Sequence, residues 1–217
     1  MENTLGKISY TPNYHNEYMY EDEDKKFDTY KRILDILASL IGLGIGIPLL
    51  IIFGIAIKIE DRGPIFYKQE RLGLKGKKFY VYKLRSMRVD AESIGGAQWA
   101  QKDDPRITKI GKFIRKTRID EIPQLYNILC GDMSLIGPRP ERPELTYKFE
   151  KQIPGFMYRL VVKPGLTGWA QVNGGYDITP EEKLILDTEY IENRSILLDL
   201  KIILMTIKVV LTGDGAR

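Results

Sequence analysis

One cysteine and one histidine among 217 residues set the first limits on this chain. Cys130 has no partner thiol, so an intramolecular disulfide and a thiolate metal cluster are both excluded. His15 stands alone near the amino terminus, which removes Ser-His-Asp hydrolases, Cys-His proteases and His-rich zinc sites. Chemistry is left to carboxylates, arginine, lysine and a hard metal ion. Charge imbalance is small: 33 Lys+Arg against 29 Asp+Glu leave +4, so where the charges stand matters more than their sum. The basic residues are mixed with acids and no recognition motif for nucleic acid is present, which argues against such a partner. The length, with 43% hydrophobic residues, suits one well-buried domain better than two.

What the sequence does contain is unevenly distributed. From Met1 to Asp28 seven acids face three lysines, and Tyr10, Tyr14, Tyr18 and Tyr20 are interspersed; a solvated acidic tail is the expectation, without an assignable function. The run ILASLIGLGIGIPLLIIFGIAI, lying between Asp35 and Lys58, carries no charge over about 22 residues and is long enough for a membrane helix. Pro48 removes a backbone hydrogen bond near its middle and predicts a kink. Lys31 and Arg32 precede the run, and Lys58, Arg62, Lys68 and Arg71 follow it, so both ends suit the cytoplasmic side and favour a re-entrant helix over a kinked single span. Gly42 to Gly46, GLGIG, has no strand before it, so close helix packing or bending is a better use for it than dinucleotide binding. Ser195 to Leu211 is apolar but interrupted by Asp199, Lys201 and Lys208, as expected of an interfacial or core helix.

The middle of the chain is rich in groups suited to phosphate. Lys78 to Lys83 alternates apolar and basic residues after turn signals at Gly73 and Gly76, which predicts a short β-hairpin with cations on one side. Gly111 to Arg118 reads as a short basic helix. Asp120 then reads as the N-cap of a second helix that tolerates Pro123 in its first turn and runs to about Leu129. An N-cap aspartate is usually structural; here Arg115, Lys116 and Arg118 precede it, and a helix start itself attracts phosphate. Asp120 and Glu121 would point about 100° apart in a regular helix, so they share a site only at an irregular helix start. Pro164 to Gly174, PGLTGWAQVNG, reads as a packed loop.

Several long stretches in this order, QERLGLKGKKF, YKLRSM, DPRITKIGKFIRKTRIDEIPQLYNIL, GDMSLIGPRP and PGLTGWAQVNG, together with KRILD and the Pro-broken apolar run, resemble the monotopic phosphoglycosyl transferases, or bacterial sugar transferases. The resemblance covers roughly Tyr30 to Leu211. It implies an α+β monotopic membrane protein with a Pro-kinked re-entrant N-terminal helix, a mostly helical cytoplasmic catalytic domain and a short β-hairpin. On that pattern residues 1–29 form the tail, 30–59 the membrane helix broken at Pro48, and 60–217 the catalytic domain. The implied catalytic dyad is Asp120 and Glu121, both also facing Mg2+; Arg115, Lys83 and the Pro138-Arg139-Pro140 stretch bind substrate, and PGLTGWAQVNG helps shape the sugar or nucleotide pocket. Where the family often has Ser before the helix-breaking proline, this chain has Ile47, so a hydroxyl that could satisfy a freed carbonyl is missing.

The implied reaction is transfer of a sugar-1-phosphate from a UDP-sugar to undecaprenyl phosphate with release of UMP, passing through an aspartyl phosphosugar at the cytoplasmic face of a bacterial inner membrane. It would open the synthesis of an exopolysaccharide, capsule, O-antigen or glycoprotein glycan. Membrane lipid is an implied partner, and a homodimer through the C-terminal region is left open. The competing expectations are a non-catalytic membrane-anchored scaffold, indifferent to Asp120, and a multi-span phosphotransferase, which should show several long apolar runs.

Overall fold

The computed structural model describes residues 25–91, 104–174 and 178–212, so the acidic tail lies almost wholly outside the described residues. The chain begins with one long helix, α1 (Lys25–Glu60), with Pro48 inside it. Among the described residues it is the one helix long and apolar enough to cross a membrane. Its inward stripe follows the helical repeat, in steps of four, seven, eight and three residues through Asp35, Ser39, Gly46, Gly54 and Ile57, all buried. Ile33, Leu37, Ile41, Ile45, Ile52 and Ile55 lie exposed on other faces. The helix is therefore docked along its length on one side and bare on another.

The glycines of the GLGIG stretch explain the docking. A Cβ on Gly42 would stand 2.8 Å from Leu125, and one on Gly46 would stand 2.6 Å from Ile122. Their spacing of four places both on one helical face, where a side chain would displace the Leu125 and Ile122 side chains of the segment that follows Asp120 and Glu121. Close helix packing is thus their use, as expected from the sequence.

After α1 the hairpin forms as expected, with β1 (Phe66–Leu72) antiparallel to β2 (Lys78–Leu84) and Phe66 paired to Leu84, but its cations do not share one side: Lys83 has the parity of the buried Phe79 and Val81, and Lys78, five residues earlier, faces the other way. Its turn places Lys75 at φ 54 and Gly76 at φ 74. Phe79, Val81 and Leu84 of β2 are buried. Helix α2 (Lys109–Lys116) begins at Thr108, whose hydroxyl accepts from Gly111 N, and the carboxylate of Glu60 accepts from Lys109 N and Ile110 N at 2.7 and 2.9 Å. The end of α1 thus caps the start of α2, where a helix favours negative charge.

Helix α3 (Gln124–Cys130) stops at Gly131, φ 87, a left-handed position that glycine adopts without steric cost. It leads to β3 (Ser134–Ile136), which pairs in parallel with β4 (Gly165–Thr167). Between them lies α4 (Pro143–Gln152); after them come α5 (Trp169–Gly174), α6 (Pro180–Glu192) and α7 (Ile196–Thr212). The PGLTGWAQVNG stretch is therefore a strand followed by a helix rather than a packed loop: pairing with β3 orders its first half, and Gly137, whose Cβ would meet Lys163 O at 2.4 Å, permits the close approach. The mixed, mostly helical α+β class is as expected. Helix α7 buries Ile202 in a core with Ile136, Val162, Tyr190 and Ile191, and leaves Leu197, Leu200 and Leu204 exposed.

Candidate active site

The acid pair lies on a turn. Arg118 adopts φ 57, a left-handed conformation unfavourable for a residue with a Cβ, and this ends the α2 segment abruptly. A 3-10 turn, Ile119–Glu121, follows, and the cap position of α3 falls on Pro123, which makes no side-chain cap. Asp120 is therefore not the N-cap expected from the sequence. With the helix start displaced to Pro123, its carboxylate is released from capping and buried. The irregular start that would let both acids share a site is nevertheless present.

The two carboxylates differ in what surrounds them. Glu121 Oε1 accepts from Lys83 Nζ at 2.7 Å and from Arg139 Nη2, so one oxygen joins β2 to the Pro-Arg-Pro stretch. Burial alone would raise its pKa, but Arg139 and then Lys83 outweigh it and hold the carboxyl well below its usual range. Asp120 is 6% exposed, and its Oδ1 is buried without a hydrogen-bond partner. Here burial prevails: it pushes the Asp120 carboxyl up to about 6, assisted by the charge of Glu121 and opposed by Lys83, Arg115 and Arg118. Lys83 and Arg139 keep 24% and 26% of their side-chain exposure, so a soluble anion can still reach them.

Arg139 is held by its neighbours through the backbone. Gly165 N donates to Pro138 O at 2.9 Å, Arg159 Nη2 to Arg139 O at 2.9 Å, Arg71 Nη1 to Pro140 O at 2.9 Å, and Leu72 N to Glu141 O at 3.1 Å. Four successive carbonyls are thus tied down, while Pro138 and Pro140 restrict φ on either side of the arginine. Its side chain is left to meet Glu121, and its Nη1 also approaches Leu166 O at 3.5 Å, a carbonyl that Gln171 Nε2 reaches at 3.0 Å. The PGLTGWAQVNG segment thereby borders the site.

Of the residues singled out in the sequence, Lys83, Asp120, Glu121 and Arg139 converge. Arg115 adds positive charge toward Asp120 while its Nη1 lies 3.4 Å from Ser86 Oγ. Pro138 and Pro140 act through the backbone. Pro48 is exposed, two residues along α1 from the buried Gly46, and takes no part in the site. Sequence reasoning missed the support behind Arg139: Arg159 Nε donates to Asp187 at 2.6 Å, and Glu141 takes Lys183 at 2.5 Å and Arg71 at 3.6 Å. It also missed Asn127, which donates to Tyr80 O and accepts from Tyr82 N, fastening α3 to β2.

Among the described residues no group of three or more His, Cys, Asp and Glu side chains is gathered to hold a metal. The oxygen of the pair left without a partner is Asp120 Oδ1, a hard donor of the type that divalent ions such as Mg2+ take from one or two carboxylates.

A buried acid turn with Lys83, Arg115, Arg118 and Arg139 around it, set against the middle of a long apolar helix, is the candidate anion-handling site of this chain. The chain belongs to the bacterial sugar transferase family, whose profile it matches over residues 26–213. It is 47% identical over 190 residues to the UDP-N-acetylgalactosamine-undecaprenyl-phosphate N-acetylgalactosaminephosphotransferase of Aeromonas hydrophila, covering 86% of this chain and 45% of that protein. It is 48% identical over 198 residues to a galactosyl transferase of Streptococcus agalactiae, covering 86% and 43%. To the UDP-glucose:undecaprenyl-phosphate glucose-1-phosphate transferase of Caulobacter vibrioides it is 41% identical over 194 residues, covering 87% and 72%. The chain spans less than half the length of the first two relatives.

Proposed function

We propose that the protein transfers a sugar-1-phosphate from a UDP-sugar to undecaprenyl phosphate and releases UMP, in two displacements with Asp120 as the nucleophile. The observation that carries this reading is the buried Asp120 carboxylate with a free Oδ1, beside a Glu121 already bound to two cations. In the first displacement a carboxylate oxygen of Asp120 bonds to the sugar-bearing phosphorus as the bridging P–O bond of the diphosphate breaks, its electron pair leaving with UMP. In the second, a phosphate oxygen of the lipid attacks that phosphorus and the aspartyl C–O–P linkage opens, restoring the carboxylate. Neither step demands a proton from Glu121, because the incoming phosphate is itself anionic. Glu121 instead holds Lys83 and Arg139 at the site, where they offset the charge of the diphosphate. Asp120 and Glu121 are the residues that would hold Mg2+, which would supply further charge neutralisation. The names of the relatives offer UDP-N-acetylgalactosamine and UDP-glucose as the first donors to try.

The placement of α1 supports a monotopic arrangement. Gly42 and Gly46 contact Leu125 and Ile122 midway along the apolar run, so a helix crossing the bilayer would carry Asp120, Glu121 and their cations toward the hydrocarbon. Charged groups there are costly. We place α1 instead with its exposed face in the leaflet on the cytoplasmic side and the catalytic domain at the surface, within reach of the lipid phosphate. Cysteines introduced at Asn13 and Lys75 in a Cys130→Ser background should both be labelled only from the cytoplasm; external labelling at position 13 establishes a span.

Incubation with each UDP-sugar and Mg2+, without lipid acceptor, should release UMP up to about one equivalent per enzyme and add one sugar phosphate to the peptide containing Asp120. Addition of undecaprenyl phosphate should discharge it. UMP release only when both substrates are present, with no adduct after rapid quenching, would replace this scheme with direct transfer. No turnover with any donor, and no effect of changing Asp120, would favour the membrane-anchored scaffold.

A further inference from the structure

Asp120 Oδ1 is not the only buried orphan on this segment. Gln124, the first residue of α3, is 2% exposed and its Nε2 has no hydrogen-bond partner. Between the 3-10 turn Ile119–Glu121 and α3, Ile122 and Pro123 are both in right-handed helical conformation, so the backbone keeps one hand from Ile119 to Cys130. Residues three or four apart on such a stretch share a face. The neighbours identify that face. Glu121 is bonded to Lys83 on β2, and Asn127 is bonded to Tyr80 and Tyr82 on the same strand. Gln124 lies three residues from each and so faces β2 between them, one helical turn from Asp120.

A buried amide donor without an acceptor carries its full desolvation cost, and native proteins rarely leave one without a reason. Here the unpaired donor and the unpaired carboxylate oxygen are neighbours on the helix and are not bonded to each other. A group that offers an electrophilic centre to Asp120 and an anionic oxygen to Gln124 satisfies both, and a phosphoryl group is such a ligand. We propose that Gln124 is a catalytic residue, its side-chain N–H donating to a non-bridging oxygen of the transferred phosphoryl group during both displacements at Asp120. The hydrogen bond moves no proton. The P–O bonds made and broken are those of the two displacements above, and the amide stabilises charge on the equatorial oxygens. This deepens the reading of Asp120 as nucleophile and rests on it.

The test uses the full-length protein in detergent with Mg2+, undecaprenyl phosphate and whichever of UDP-N-acetylgalactosamine and UDP-glucose gives UMP. Gln124→Met keeps the volume and removes the donor, and because it also removes an orphan polar group its thermal midpoint should equal or exceed that of the parent. Single-turnover formation of the Asp120 adduct should nevertheless slow by about 10- to 100-fold, with KM for the UDP-sugar changed by less than about threefold. Gln124→Glu, similar in shape but acceptor-only when ionised, should be at least as slow. A Gln124→Met protein of parental stability that forms adduct within about threefold of the parent rate overturns the proposal, as does a lower thermal midpoint with an unchanged rate for the folded fraction, which marks a purely structural role. Failure of the underlying reading looks different: Asp120→Asn would then remain active or no adduct would form on the parent enzyme, whereas failure of this proposal alone leaves Asp120→Asn inactive and Gln124→Met normal.

Discussion

Two buried charge clusters meet at Arg139, and they are built to different standards. Behind it, Arg159 is bonded to Asp187 and to Arg139 O and lies 4.7 Å from the Phe156 ring, while Glu141 is shared by Lys183 and Arg71. Among the described residues no buried side-chain atom of that rear cluster lacks a partner. In front of Arg139, Glu121 takes two cations on one oxygen, yet Asp120 keeps a bare buried oxygen and Gln124 a bare buried nitrogen. Buried ion pairs are costly to break because the remaining charge is left uncompensated. One cluster is thus satisfied completely, while its neighbour is left incomplete two residues from Arg118, a left-handed arginine, and unmet polar groups and backbone strain of this kind cluster at functional sites. The rear cluster fixes the backbone of the Pro-Arg-Pro stretch; the front one is the part that the proposed reaction would complete.

The comparison breaks most sharply if Asp120 is treated as a structural group. Asp120→Asn keeps the size of the side chain and removes the anion that no neighbour can replace. Turnover should fall by roughly a thousandfold or more with the fold retained, measured as UMP release alongside a thermal melt. Turnover within about tenfold of the parent would put Asp120 in the same class as the rear acids.

The rear pair should give the opposite signature. Asp187→Asn leaves Arg159 buried with its charge unmatched, so the loss should appear first in stability, on the order of 3–5 kcal/mol in chemical denaturation. Activity should fall because Arg139 is no longer held, and Glu121 should lose part of its clamp. Unchanged stability in Asp187→Asn would mean that the pair is replaceable and that Arg139 is positioned by its flanking prolines alone.

How much of this was readable in advance follows from the range of the signal. The apolar run, the hairpin and the basic helix before Asp120 are local patterns, and each forms within a few residues of the expected place. Lys83 was assigned through the family resemblance, although a plainer signal was available: it has the parity of Phe79 and Val81 on β2, so a strand that buries those two turns Lys83 inward. The N-cap role for Asp120 failed because the left-handed Arg118 and the proline at position 123 shift the helix start, and single-residue backbone conformations are weakly encoded by residue type. Strand β4 was missed because its three residues acquire their form only by pairing with β3, some 30 residues away. Arg159–Asp187 and Glu141–Lys183 join residues 28 and 42 apart. No local pattern marks such pairs.

The smallest effect is also the one that separates the two clusters without substrate. The Asp120 carboxyl titrates from 3.8 in an open chain to about 6 in the fold because burial disfavours its charge. Between those values the unfolded chain has released its proton while the folded protein retains it, so this residue's contribution to stability declines as the pH rises from about 4 to about 6 and stays level above. Glu121, held low by Arg139 and Lys83, acts in the reverse sense and loses its contribution as the pH falls, but it is present in parent and variant alike. The difference between Asp120→Asn and the parent therefore isolates Asp120. The variant should gain stability relative to the parent across pH 4 to 6 and keep a constant advantage up to pH 8, on the order of 2–3 kcal/mol at most, since a shift of one pKa unit corresponds to about 1.4 kcal/mol. Denaturation of both proteins at pH 4.5 and 7.5 measures it. An advantage that shrinks with rising pH would mean that Asp120 is stabilised as the anion, as Glu141 of the rear cluster is by Lys183, Arg159 and Arg71, and that its unpartnered oxygen is not the sign of a site waiting for phosphorus.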